Sequence, residues 1–169
     1  MSNKKITMGG NPLTLKGKAI EVGDKAPMFS ALNNKLEPVN TKDFHGKIIV
    51  ISAFPSVDTG VCSAQLHHFN KDATNLGDDV IIVSISCDLP FALGRFCGAE
   101  GINNVITLSD HKDLDFASKY GFLIKELRLL SRGVVVIDQK GIVQYVEYVS
   151  ELTNEPDYQE ALKAIKKLH

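Results

Sequence analysis

The residue best placed for nucleophilic chemistry is Cys62, in the string Phe54-Pro55-Ser56-Val57-Asp58-Thr59-Gly60-Val61-Cys62. An apolar run ends at Phe54, a short loop follows, and Cys62 arrives in the first turn of a predicted helix. Unpaired N–H groups and the positive end of a helix dipole favour thiolate over thiol there. Placement alone leaves two readings open, a reactive thiolate or a small buried hydrophobe. Thr59 precedes Cys62 by three residues, so its hydroxyl either faces the sulfur and an oxygen bound to it or caps the helix. Pro55 either ends the strand or shields a pocket above the cysteine.

Arginine is scarce, with Arg95, Arg128 and Arg132 set against sixteen lysines. Arg132 stands at the edge of the apolar run Gly133-Val134-Val135-Val136-Ile137. A guanidinium there either holds an anion with several fixed donors or pairs with a surface carboxylate. Two further cysteines complete the set. Cys87 ends a strand and reads most simply as structural, whereas Cys97 lies on a second helix, too far along the chain from Cys62 for a CxxC pair. Sulfurs can be bridged only where Cα atoms come within roughly 7 Å, which spacing alone does not supply. The histidines, His45, His67, His68, His111 and His169, show no zinc-site spacing. A Cys62–His111 hydrolase has no positive support, and no P-loop or GxGxxG marks a nucleotide cofactor.

The elements that must position these residues belong to an α/β chain. At 169 residues, with 44% hydrophobic and 23% charged residues, it is read as one globular domain spanning 1–169. A formal charge of −1 supplies no field for a phosphate backbone or an anionic bilayer, so nucleic acid and membrane are not expected partners. Without a secretory-type apolar run behind the N-terminal lysines, a cytoplasmic protein is expected, and in a reducing compartment three cysteines do not form a disulfide scaffold. Residues 5–8 and 13–15 predict a hairpin turning at 9–12, and 23–46 reads as irregular. The runs 47–54 and 79–86 predict strands buried on both faces, with a shorter strand at 104–108. Helices are predicted at 61–76, 90–99, 114–120 and 156–168, and a second hairpin joins 133–137 to 142–146. On the first helix Val61, Gln65, His68 and Phe69 are expected to share a face. This order describes a mixed sheet flanked by helices, with an N-terminal β-hairpin.

The segment Pro55-Ser-Val-Asp-Thr59-Gly-Val-Cys62 resembles the PxxxTxxC signature of the peroxiredoxins, in particular the bacterial thiol peroxidases of the atypical two-cysteine kind. Asp88-Leu-Pro-Phe-Ala92, the stretch from Arg95 to Leu108, Arg132-Gly-Val-Val-Val-Ile-Asp138 and Glu155-Pro-Asp-Tyr158 are similar to the same group, and the resemblance covers nearly the whole chain. It implies a thioredoxin-like fold and no cofactor or metal. It makes Cys62 the peroxidatic cysteine, Thr59 and Arg132 its activating partners, Pro55 its shield and Cys97 the resolving cysteine. Hydrogen peroxide and organic hydroperoxides are the implied substrates, thioredoxin the reductant and a homodimer the assembly. Cys87 has no place in that pattern. Two alternatives remain at this stage, a one-cysteine peroxidase served by an external thiol and a peroxide-sensing redox switch.

Overall fold

The structure, a computed structural model, describes residues 4–169; the first three residues of the lysine-bearing N-terminal stretch lie outside it. Its centre is the apolar run at β5 (Ile48–Ala53), every residue of which is buried. Parallel to it runs β6 (Val80–Ser86), which pairs in turn with β7 (Ile106–Ser109). On the other side β10 (Gly133–Ile137) pairs antiparallel with β5, and β11 (Val143–Tyr148) pairs antiparallel with β10.

Alternation along these strands explains why they read as continuous apolar runs. Ile49, Ile51, Val83, Ile85, Val135 and Ile137 face one core, while Ile48, Val50, Ile82, Val134 and Val136 face another. Both faces must therefore be covered, as in other sheets buried on two sides. The first is covered by Phe116, Ala117 and Tyr120 of α3 (Asp115–Tyr120). The second is covered by Phe69 of α1 (Gly60–Ala73) and by Ala161 and Ile165 of α4 (Tyr158–Lys166). Between β6 and β7 lies α2 (Pro90–Glu100), which carries Cys97 and starts on Pro90, where a missing N–H costs nothing.

Four short strands were not expected. The stretch read as irregular holds β3 (Ser30–Leu32) and β4 (Pro38–Asn40), followed by a 3-10 turn at Thr41–Phe44 that Asn40 caps. They extend the sheet to seven strands in the order β11-β10-β5-β6-β7-β3-β4. Such strands are too short to show a period and form because β7 offers them a partner. Likewise β8 (Leu123–Ile124) and β9 (Leu129–Leu130) pair with the N-terminal hairpin, β1 (Lys5–Met8) and β2 (Asn11–Lys16), as a four-stranded sheet. That hairpin turns on Gly9 and Gly10 alone, both at positive φ, so Asn11 and Pro12 belong to the strand and not to the turn. The helices α1 and α4 are shorter than predicted, ending at Ala73 and starting at Tyr158.

Candidate active site

The loop after β5 runs through Phe54, Pro55 and Ser56 to Thr59, the N-cap of α1. Thr59 Oγ1 accepts the Cys62 backbone N–H at 3.3 Å and donates to the Ser56 carbonyl at 3.3 Å. The hydroxyl thus closes one of the four open donors of the helix end, the capping role. Cys62 itself is fully buried among Phe54, Val57, Leu66, Leu93 and Ile102. The buried side of α1 is Cys62, Gln65, Leu66 and Phe69, so the predicted stripe was misplaced at Val61 and His68, which are only half-buried. A polar Gln65 lies in this stripe because it has partners there.

Those partners lead to Arg132, which is 2% exposed at the start of β10. Its Nη2 donates to Cys62 Sγ at 3.2 Å, its Nη1 to Gln65 Oε1 at 2.9 Å and its Nε to the Leu152 carbonyl at 2.9 Å. Gln65 Nε2 in turn donates to Ser52 Oγ at 2.7 Å and to the Ala53 carbonyl at 3.1 Å, tying the guanidinium to the end of β5. Three acceptors at fixed positions hold the planar fork in one orientation, which a lysine could not reproduce. The next residue, Gly133, leaves space for the neighbouring strand and the Phe122 ring, since a Cβ there would collide with the Glu147 carbonyl and that ring.

Beside the Arg132 guanidinium opens a pocket of about 170 Å³, lined by Pro55, Ser56, Thr59, Gly60, Val61 and Arg132 and by Met8, Leu127, Leu129, Leu152 and Thr153 from neighbouring elements. The fully buried Cys62 does not itself line it. Pro55 is buried at its wall. Met8 comes from the tip of the N-terminal hairpin, and Glu151 fixes that tip. Its carboxylate accepts Thr7 Oγ1 at 2.8 Å, Gly9 N at 3.1 Å and Gly10 N at 2.9 Å, as well as the backbone and hydroxyl of Thr153. These bonds hold the Glu151 carboxyl far below the usual carboxylate range.

Of the other two thiols, Cys97 packs against the apolar cluster that buries Cys62, and Cys87 lies elsewhere. Cys97 is half-buried beside a second pocket of about 290 Å³, lined by Asn33, Asn34, Ile102, Val105 and Thr107 among others. Its Sγ approaches Thr107 Oγ1 at 3.9 Å, and that hydroxyl reaches Asn34 Oδ1 at 3.1 Å. Burial raises the Cys97 thiol pKa, and the Thr107 hydrogen bond offsets part of the rise. At Cys87 burial, then the Asp110 and Asp88 carboxylates, push the thiol up to about 12. All three cysteines are free. Among the described residues, no group of three His, Cys, Asp or Glu side chains could hold a metal ion.

The structure therefore bonds Thr59 and Arg132 to Cys62 and sets both beside Pro55 at one pocket, while Cys97 lines another and packs against the apolar cluster that buries Cys62. Sequence reasoning missed Gln65, Asp88 and Glu151 as site-building residues. A glutamine at a helix spacing otherwise filled by buried apolar residues is the signal that could have singled out Gln65.

The family model described as Redoxin matches residues 21–162. The chain belongs to the Redoxin family. Among this Redoxin chain's relatives, the thiol peroxidase of Bacillus subtilis is 53% identical over 163 residues, covering 96% of this chain and 97% of its own. The thiol peroxidase of Oceanobacillus iheyensis is 52% identical over 167 residues, covering 99% and 100%. A solved peroxiredoxin-like protein from Aquifex aeolicus superposes with a TM-score of 0.92 at 36% identity, covering 98% of both chains. The mixed sheet flanked by helices is thus the thioredoxin-like architecture of peroxiredoxins, as the sequence led us to expect.

Proposed function

We propose that this Redoxin chain is a thiol-dependent peroxidase that reduces hydroperoxides at Cys62, with Cys97 as the resolving thiol. The observation that carries this reading is the 3.2 Å bond to Cys62 Sγ from the Arg132 guanidinium, which itself lines a largely apolar pocket. Thiol-dependent peroxide reduction is the enzyme activity supported by relatives about half identical over nearly the whole chain.

The Cys62 thiolate attacks one peroxide oxygen, and the O–O bond breaks as the S–O bond forms. The second oxygen leaves as alkoxide or hydroxide and takes a proton from water. Arg132 donates to these oxygens, as does Thr59 once its hydroxyl turns from the Ser56 carbonyl, and such bonds strengthen as charge builds on the leaving group. The Cys62 sulfenic acid then condenses with the Cys97 thiol, releasing water and forming a disulfide. Two electrons from a reduced dithiol, thioredoxin in this reading, restore both thiols. The apolar wall of Met8, Val61, Leu127, Leu129 and Leu152 suits the carbon chain of an organic hydroperoxide.

Disulfide formation requires the sulfurs at about 2 Å. In the structure Cys62 is held by Arg132 and Cys97 by Thr107, so the start of α1 and the Cys97 segment must loosen each turnover. Among the described residues no helix is long and apolar enough to cross a membrane. A single domain acting as a homodimer in the cytoplasm completes the proposal.

Thioredoxin-coupled turnover of hydrogen peroxide and cumene hydroperoxide by the wild type, Cys62→Ser and Cys97→Ser tests it. Loss of turnover in both variants supports the two-cysteine route. Full turnover in Cys97→Ser points to a one-cysteine enzyme with an external thiol. Slow peroxide reaction of the wild type with a large change of shape points to a redox switch.

A further inference from the structure

A single carboxylate joins the loop leading to Cys62 to the turn leading to Cys97. Asp88 follows β6 and precedes Pro90, the first residue of α2, by two positions. Its Oδ1 accepts Ser56 Oγ at 2.7 Å, and its Oδ2 accepts the Val57 N–H at 2.9 Å and Ser86 Oγ at 2.7 Å. Its own backbone is anchored as well: the N–H donates to Ser86 Oγ at 3.2 Å, and the carbonyl accepts Ser109 Oγ. Asp88 is thus fixed to the ends of β6 and β7 while its side chain grips the middle of the Cys62 loop.

The grip is passed on toward the nucleophile. Ser56 Oγ accepts the Asp58 N–H at 3.1 Å, and the Ser56 carbonyl accepts both the Thr59 N–H at 3.2 Å and the Thr59 hydroxyl at 3.3 Å. Thr59 caps the helix that carries Cys62. The path from Asp88 to the sulfur runs through Ser56 and Thr59, a step removed from the reacting atoms.

The two chemical steps make opposite demands on this loop. Attack on peroxide needs Pro55, Thr59 and Cys62 held in register, and disulfide formation needs the same segment released. We propose that Asp88 is a positioning residue that sets the balance between these steps, holding the Cys62 loop in its peroxide-ready form and delaying closure onto Cys97. The inference rests on the Cys62–Cys97 reading given above.

Hydrogen bonds to a charged acceptor are stronger than neutral ones, so removing the two from Ser56 and Val57, with the Ser86 bond that orients the carboxylate, weakens the loop substantially. Asp88→Ala is expected to slow the second-order reaction of Cys62 with peroxide about tenfold and to speed disulfide closure several-fold. Asp88→Asn keeps a carbonyl for Val57 and Ser86 and can donate its amide to Ser56 Oγ, so both rates are expected within about twofold of the wild type. Ser56→Ala removes one of the bonds to Asp88 together with the one from the Asp58 N–H, leaves the Val57 bond, and is expected to shift both rates in the same directions as Asp88→Ala, by less.

The chain has no tryptophan, so the steps are followed by rapid quench, with dimedone capture of the sulfenic acid and mass mapping of the disulfide. Opposite changes in the two rates, restored by Asp88→Asn, support the tether. Unchanged rates in Asp88→Ala, or a loss in both steps together, overturn it while leaving the two-cysteine route standing. Absence of any Cys62–Cys97 peptide from the oxidised wild type overturns both.

Discussion

Arg132 donates to Cys62 Sγ at 3.2 Å although the two residues lie 70 positions apart, one at the start of β10 and the other in the first turn of α1. Both are buried, and two more of the five guanidinium N–H donors go to Gln65 and Leu152. A cation taken from water is tolerable only when so paired, and here the pairing aims one N–H at the sulfur.

Replacing Arg132 by methionine removes that donor and leaves the Leu152 carbonyl and Gln65 Oε1 without it. The second-order rate with peroxide is expected to fall by about 10²- to 10³-fold, the range for losing one oriented donor at a developing anion. Arg132→Lys retains a charge but not the fork, and recovers only part of the loss. Single-turnover rates on the folded variants check this.

Thr59→Val removes both the cap on Cys62 N and the hydroxyl beside the pocket. The cap loss costs about 1 kcal/mol of stability, read as a lower denaturant midpoint, and the missing donor lowers kcat/KM further. Thr59→Ser keeps the hydroxyl and is expected to stay near the wild type in both measurements.

The thiols divide by accessibility to base. With Cys87 raised to about 12, only about one molecule in ten thousand carries its thiolate at pH 8. Iodoacetamide at that pH is expected to spare Cys87, with labelling rising only as the pH nears 12, and Cys87→Ser is expected to leave peroxide turnover unchanged. Peptide mapping of alkylated protein across pH reports this directly.

Asp110 bears on stability rather than chemistry. Its carboxylate accepts the Phe116 N–H at 3.1 Å and the Ala117 N–H at 2.9 Å, yet burial outweighs these bonds and raises the group from 3.8 to about 6. Folding therefore favours the protonated form. The stabilisation is full below pH 3.8 and is lost as the pH rises through about 6. Asp110→Asn removes this dependence, so its stability relative to the wild type is expected to rise between pH 4 and pH 7 in urea titrations.

What could be read from the sequence was what local pattern encodes. The runs around Val50, Val83 and Val135 had to be strands buried on both faces, and Cys62 had to begin a helix, because both follow from neighbours in the chain. The Arg132–Cys62 contact could only be suspected, since it depends on β10 lying beside β5. The strands at Ser30 and Pro38 were hidden for a similar reason, as their pairing comes from β7 and not from any period of their own. Glu151 was overlooked because its five donors come from both ends of the chain.

The most direct test is mass spectrometry of the reduced protein after one equivalent of hydrogen peroxide, with free thiols blocked and peptides mapped. Rapid loss of two hydrogens, a linked Cys62–Cys97 peptide and an unmodified Cys87 are the expected result. A Cys62–Cys87 link would reassign the resolving residue, and three untouched thiols would contradict peroxide chemistry at Cys62 altogether.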